Sequence, residues 1–122
     1  MTLFCEQVPY PRLAEAFGTP LYVYSQSALT KAFEHYQTAF AELSPLVCYA
    51  VKANGNLSII KHFASLGSGF DIVSGGELAR VLAAGGDAAK TIFSGVGKSE
   101  AEIEFALNAG VKCFNMESTP EI

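Results

Sequence analysis

The 122-residue chain is poor in basic charge, with eight Lys and Arg against twelve Asp and Glu and a formal charge of −4. No broad cationic surface is available to neutralise a phosphate backbone, which argues against nucleic acid as a partner. Long hydrophobic runs are missing as well. The longest, such as Leu46 to Val51, break at Lys or Gly far short of the roughly 20 residues that a bilayer span needs. The first residues (MTLFCEQVPYPR) also lack a basic-then-apolar leader, so the chain reads as cytoplasmic with no membrane partner. Cysteine is scarce: Cys5, Cys48 and Cys113 are an odd number without C-x-x-C spacing, and only His35 and His62 stand beside them. Neither a disulfide framework nor a metal site is supported. Cys48 and Cys113 fall in apolar runs and are expected to be buried thiols. Two nucleotide signatures fail on single positions. Gly95 to Ser99 (GVGKS) ends like a phosphate-binding loop, but position 92, where the pattern needs glycine, is isoleucine. Gly75 and Gly76 do not complete G-x-G-x-x-G. What GVGKS retains is a strand-to-helix loop, either an ordinary βα turn or one offering backbone donors to an anion.

What is present is a core: half of the residues are apolar and the mean hydropathy is +0.27, which excludes intrinsic disorder and fits one small domain. Apolar β-rich runs occur at Leu46 to Val51, Phe70 to Val73, Thr91 to Phe93 and Lys112 to Asn115, starting 24, 21 and 21 residues apart. Between them, Leu57, Ile60 and Phe63, then Leu78 and Val81, then Ile103, Ala106 and Leu107 group on one helical face. Gly67, Gly85 and Gly110 follow, where a left-handed residue ends a helix. Ser74 with Glu77 and Ser99 with Glu102 both fit the S-x-x-E capping box at a helix start. Ahead of this repeat, Tyr10 to Phe17 predicts a short helix stopped by Gly18, and Leu21 to Tyr24 (LYVY) a strand. The stripe Leu29, Phe33, Tyr36, Phe40 and Leu43 predicts a long amphipathic helix presenting a core face. His35 and His62 read as packed or surface histidines on their helices.

Strand and helix alternation without hairpin signals implies parallel strands joined by crossovers, either a doubly wound sheet or part of a (β/α)8 barrel. Ser118 to Glu121 announces a third S-x-x-E helix start one residue before the last position, Ile122. About four βα units are half of what a barrel of roughly 250 residues requires. The expectation is therefore an N-terminal piece of a larger enzyme: residues 1–20 as a lead-in and residues 21–122 as a partial (β/α)8 barrel domain. Such a half-barrel has two open strand edges and an uncovered inner face, and should pair with another copy or a complementary fragment.

The chemistry centres on Lys52, where the run Val47 to Val51 ends. On a barrel this is the carboxyl rim, where active sites lie, and a lysine there suits Schiff-base chemistry once its amine is desolvated. Position alone leaves a second reading open, a lysine that ends a strand and reaches solvent. Cys48, four residues earlier, is expected on the same side as barrel packing.

The run Tyr49 to Asn54 (YAVKAN), with Gly69 to Leu78 (GFDIVSGGEL) and Gly18 to Tyr24 (GTPLYVY), resembles the N-terminal barrel half of the diaminopimelate decarboxylase family. This is a branch of the barrel-type pyridoxal-phosphate decarboxylases, whose fold is an alanine racemase-like (β/α)8 TIM barrel. The resemblance runs from about Gly18 to the end of the chain, and the SGGEL form favours this branch over the ornithine and arginine decarboxylases. It implies a cofactor, pyridoxal 5'-phosphate, bound as a Schiff base on Lys52, whose freed amine then serves proton transfer. Asp71 matches a carboxylate close to the cofactor and that lysine, where an anion favours the protonated imine. Glu77 matches a further cofactor-site carboxylate, although its place in a capping box accounts for it without one. The reaction implied is decarboxylation of the amino acid meso-2,6-diaminopimelate to L-lysine and carbon dioxide by a homodimer. The phosphate-binding and substrate-binding groups of the family come later in sequence than Ile122, so this piece alone is expected to be inactive. Two other classes also accommodate these residues. One is another pyridoxal-phosphate barrel, whether an ornithine/arginine-type decarboxylase, a racemase or a non-catalytic cofactor-binding protein. The other is a self-contained α/β module in which Lys52 is incidental.

Overall fold

The computed structural model describes residues 2–122, which divide into two compact units, one running to Phe40 and the other Ala41–Ile122. In the first, β1 (Phe4–Cys5) and β2 (Val8–Pro9) form a small antiparallel hairpin, followed by α1 (Tyr10–Phe17) and α2 (Gln26–Ala39). The hairpin turns through Glu6 at φ 55, and the Glu6 carboxylate then accepts from Ser25 Oγ and Ser27 N, both at 2.8 Å, fixing the start of α2. Those bonds, led by the Ser27 N–H, hold the Glu6 carboxyl below its ordinary pKa.

Two expectations are corrected in this unit. Residues 21–24 form no strand, because a strand needs a ladder partner and the described residues give them none. The long helix exists, but of its stripe only Phe33 is buried, while Tyr36, Phe40 and Leu43 are exposed.

The second unit carries the repeat. β3 (Cys48–Ala50), β4 (Gly69–Ile72), β5 (Thr91–Phe93) and β6 (Cys113–Phe114) form one parallel sheet in the order β3-β4-β5-β6. They alternate with α3 (Leu57–Ser65), α4 (Gly75–Ala83) and α5 (Glu100–Ala109). Neighbouring strands are consecutive and the helices pack α3 on α4 and α4 on α5, so the order has no reversal of the kind a doubly wound sheet requires. This is the winding of a barrel wall. Among the described residues no helix is long and apolar enough to cross a membrane.

Alternation along the strands divides the sheet into unlike faces. Phe70, Ile72, Thr91 and Phe93 are fully buried on the helix side, against Ile60, Phe63, Leu78, Val81 and Ala106 from the three helices. Tyr49 stacks on Phe63 with ring centres 4.3 Å apart, and Phe93 on Phe114 at 5.7 Å. The one buried threonine hydroxyl, Thr91, donates to the Asp87 carbonyl at 2.9 Å. The opposite face carries Cys48, Ala50, Asp71, Ile92 and Cys113, and among the described residues of this unit no helix packs on it. For that reason Cys48 is only half-buried and Cys113 is exposed, contrary to the expectation of two buried thiols.

Helix ends follow local chemistry. Asn56 caps α3, Ser74 caps α4 and Ser99 caps α5. The Ser99–Glu102 box is complete, and Glu102 does more: its Oε1 accepts from Gly75 N at 2.7 Å, tying the start of α4 to the start of α5. A Cβ at Gly75 would lie 2.9 Å from Glu102 Cγ, so this close approach requires glycine. The Ser74–Glu77 box is only half formed. Ser74 accepts from Glu77 N, but the Glu77 carboxylate reaches past the cap to Val73 N at 2.9 Å. The S-x-x-E segment at Ser118 makes one 3-10 turn, Thr119–Glu121.

Unfolding measurements test the buried face and the helix caps. Phe93→Ala, which empties a closed site, is expected to destabilise by about 3–5 kcal/mol. Ser99→Ala, which removes one cap, should cost about 1 kcal/mol. The acid response tests Glu102 separately. Hydrogen bonds from Gly75 N, then from Ser99, favour its charged form and lower its folded pKa below the unfolded value of about 4.3. Its stabilisation is therefore complete above that value and is lost as pH falls through the lower, folded one. Glu102→Gln should flatten the decline of the thermal midpoint between about pH 5 and pH 3 relative to the parent protein.

Candidate active site

β3 ends at Ala50, and the chain then makes a single 3-10 turn, Val51–Ala53, that carries Lys52 at its centre. The turn is held at both ends. Val51 is 1 % exposed in the core, and its carbonyl accepts from Asn54 N at 3.1 Å. Tyr49 Oη donates to the Asn54 carbonyl at 3.0 Å, and Arg80 Nη1 to the Gly55 carbonyl at 3.2 Å. Asn54 Oδ1 accepts from Asn56 N, and Asn56 Oδ1 from Ser58 N, which leads directly into α3. Lys52 itself is exposed, and among the described residues its ammonium makes no hydrogen bond or ion pair. A fixed backbone thus carries a free amine beyond the carboxyl end of a parallel strand.

Asp71 lies on the neighbouring strand, in register with Ala50, two residues before Lys52. It is half-buried, and its Oδ1 accepts from Ser94 Oγ at 2.5 Å. Ser94 Oγ in turn accepts from Asn115 Nδ2 at 2.9 Å, so the carboxyl ends of β4, β5 and β6 are joined by side chains. The strand ladder continues beneath them, with Ser94 N donating to the Ile72 carbonyl at 2.7 Å and Asn115 N to the Phe93 carbonyl at 2.9 Å. Glu77 stands apart from this row, at the first turn of α4, with Oε2 engaged by Val73 N.

Sequence reasoning singled out Asp71 and passed over Ser94 and Asn115. A usable signal existed: Ser94 and Asn115 are 21 residues apart, the same interval that separates the last two strand starts, so the repeat itself sets them side by side.

Other polar groups on this side are committed elsewhere. Lys98, whose side chain is wholly shielded, donates to the Gly95 carbonyl and pairs with Glu121 at 2.9 Å. The Lys98 ammonium is the leading reason that the Glu121 carboxyl lies below its ordinary pKa. The N–H of Ser99 is taken by Glu102 at 3.1 Å. The lysine of GVGKS and the N-cap N–H of Ser99 are therefore both engaged within the chain. Cys48 lies against the sheet: its Sγ is 2.6 Å from where a Cβ on Gly69 would be. Burial, then the charges of Asp71 and Cys113, push its thiol pKa up, which leaves it protonated and unreactive. His35 is exposed and His62 half-buried in a tilted contact with Phe63. Among the described residues no group of three or more His, Cys, Asp or Glu is placed to hold a metal.

The singly wound parallel sheet defines the fold class, a (β/α)8 barrel wall, and its carboxyl end carries a lysine just past one strand and a braced carboxylate on the next. The donor set fits an aldehyde cofactor, since the Lys52 amine is free to condense and Asp71 supplies an anion one strand away.

Comparison with known proteins supplies the family. Residues 26–122 match the family described as pyridoxal-dependent decarboxylase, pyridoxal binding domain. The chain is 98% identical over its whole length to diaminopimelate decarboxylase of Neisseria meningitidis serogroup A and 56% identical, over 98% of its length, to that of Vibrio cholerae. It spans about 30% of the length of the curated relatives that it matches. Among solved structures, diaminopimelate decarboxylase from M. jannaschii in complex with L-lysine superposes with a TM-score of 0.94 at 36% identity, covering 98% of this chain and 29% of that one. This chain belongs to the pyridoxal-dependent decarboxylases, within their pyridoxal-binding barrel.

The Lys98–Glu121 pair yields an expectation of its own. Lys98→Met, close in shape but uncharged, should leave Glu121 without its cation and open the two carboxyl-end loops to limited proteolysis. Acidification should have the same effect on the parent protein, because the depressed carboxyl loses its advantage as pH falls through its folded pKa. Cleavage near Gly95 or Glu117 after brief protease treatment, mapped by mass spectrometry, is the measurement.

Proposed function

We propose that this chain is the lysine-bearing N-terminal part of a diaminopimelate decarboxylase, the complete enzyme converting meso-2,6-diaminopimelate to L-lysine and carbon dioxide, the last step of lysine biosynthesis. Residues 21–122 form its incomplete barrel domain and residues 1–20 the lead-in. The observation that carries this reading is Lys52, whose amine makes no hydrogen bond or ion pair among the described residues, on a backbone fixed by Val51 and Asn54 at the carboxyl end of β3. The names of the near-identical relatives support the choice of substrate.

Pyridoxal phosphate, when bound, supplies a sink for the electron pair left behind by the departing carboxylate. Lys52 would hold the cofactor through Nζ, and the same atom would be available to move a proton. Asp71, level with Ala50 on the neighbouring strand, would supply negative charge on that side of the site. Glu77, the further carboxylate that the resemblance implied for the cofactor site, braces the end of β4 through Val73 N, and that role accounts for it without a cofactor contact. Groups that grip the phosphate and the substrate come from the remainder of the enzyme. The 122-residue piece alone is inactive.

The enzyme works in the cytoplasm, a setting that suits three unpaired thiols. It acts as a homodimer on a small amino acid and has no nucleic-acid or membrane partner. The uncovered sheet face and open edge strands support the need for further protein around this piece.

The test joins this chain to the remaining sequence of the Neisseria meningitidis relative. Incubation with pyridoxal phosphate, borohydride reduction and peptide mapping should place the label on Lys52. Lys52→Ala should abolish that label and lower carbon dioxide release from meso-diaminopimelate by at least about a thousandfold. Label spread over other lysines, or undiminished turnover in Lys52→Ala, would overturn the reading; release from ornithine but not diaminopimelate would overturn the substrate.

A further inference from the structure

Asp71 is not merely near two polar groups; the hydrogen bonds that reach it have a direction. A serine hydroxyl has one proton and two lone pairs, and a carboxylate only accepts. The contact of 2.5 Å between Ser94 Oγ and Asp71 Oδ1 therefore consumes the serine proton. Ser94 Oγ is left able only to accept from a third group, and Asn115 Nδ2, at 2.9 Å, is a donor. The chain runs Asn115 to Ser94 to Asp71. Its members stand on β4 and just past the ends of β5 and β6, where the backbones are themselves bonded, Ser94 N to the Ile72 carbonyl and Asn115 N to the Phe93 carbonyl. The next residue after Ser94 is Gly95, whose carbonyl is gripped by the buried Lys98. Asp71 Oδ1 is thus fixed, while Oδ2 accepts no hydrogen bond from the described residues.

We propose that Ser94 and Asn115 are positioning residues for the decarboxylation, acting in series to hold Asp71 in one rotamer with Oδ2 turned to the positive charge carried at Lys52. The inference rests on the reading of Asp71 given under Proposed function. Asn115 has no separate role in it: it sets the direction of the Ser94 hydroxyl, and Ser94 sets Asp71.

The experiment uses the same joined full-length enzyme loaded with pyridoxal phosphate, and follows kcat, KM for meso-diaminopimelate and the pH midpoint of the bound cofactor's absorbance. Ser94→Ala is expected to lower kcat about tenfold, the scale of one hydrogen bond to a charged group, with KM changed less than about twofold. The absorbance midpoint should move to lower pH, because an anion that wanders stabilises the cationic form less. Ser94→Thr, which keeps the hydroxyl, should restore both. Asn115→Ala should move both readings in the same direction, and the double variant should match Ser94→Ala alone, since both substitutions break one chain. Multiplying effects in the double variant, or wild-type kcat and midpoint in Ser94→Ala, would overturn the proposal. Asp71→Asn separates the two levels. If it lowers kcat and shifts the midpoint while Ser94→Ala does neither, only the positioning roles fall; if it is silent, the reading of Asp71 falls and takes this proposal with it.

Discussion

The structure depends on the alternation of a parallel strand between one face that must be dry and one that need not be. Val51, Phe70, Ile72, Thr91 and Phe93 are removed from water by three helices, and this burial holds the four strands in register. Once the register is set, the opposite face has no freedom left. Asp71 must stand level with Ala50, and Ser94 and Asn115 must follow Phe93 and Phe114 side by side. The polar row at the carboxyl end is a by-product of apolar packing on the far side of the sheet.

The same division explains how one lysine can be both well placed and chemically free. Its neighbour Val51 is locked in the core and Asn54 is held by Tyr49, so the backbone at Lys52 has little play. The amine itself is engaged by nothing among the described residues. Lys98 shows the contrast. It is enclosed, paired with Glu121 and bonded to a carbonyl, and so serves as a fastener between loops. Two lysines at the same end of one sheet differ because one is closed into an ion pair and the other, among the described residues, makes none.

Much of this was legible in the sequence because it is local. Four strands, three glycine stops and the start of α5 follow from periodicity and capping chemistry over a few residues, and Lys52 is marked by the end of a single run. What escaped depends on partners. Residues 21–24 have strand composition but no ladder, and composition cannot supply one. The hairpin at Phe4–Pro9 turns on Glu6–Gln7, where no Asn-Gly or Asp-Gly signal announces it. Cys113 reads as a buried thiol until the sheet is seen to be covered on one side only. Ser94 and Asn115 are unremarkable in their own segments and acquire meaning only across strands. Glu77 fits its box by spacing, yet its carboxylate prefers the N–H one residue earlier, a choice of rotamer that spacing does not encode.

The contact between Gly75 and Glu102 has a dynamic consequence. One carboxylate caps its own helix and also holds the leading amide of the helix before it, so fraying at either start removes a partner from the other. The two helices should open together as one cooperative segment in native-state hydrogen exchange, with the amides of Gly75 and Ser99 sharing a single opening free energy. A barrel wall built this way loosens in pairs of staves.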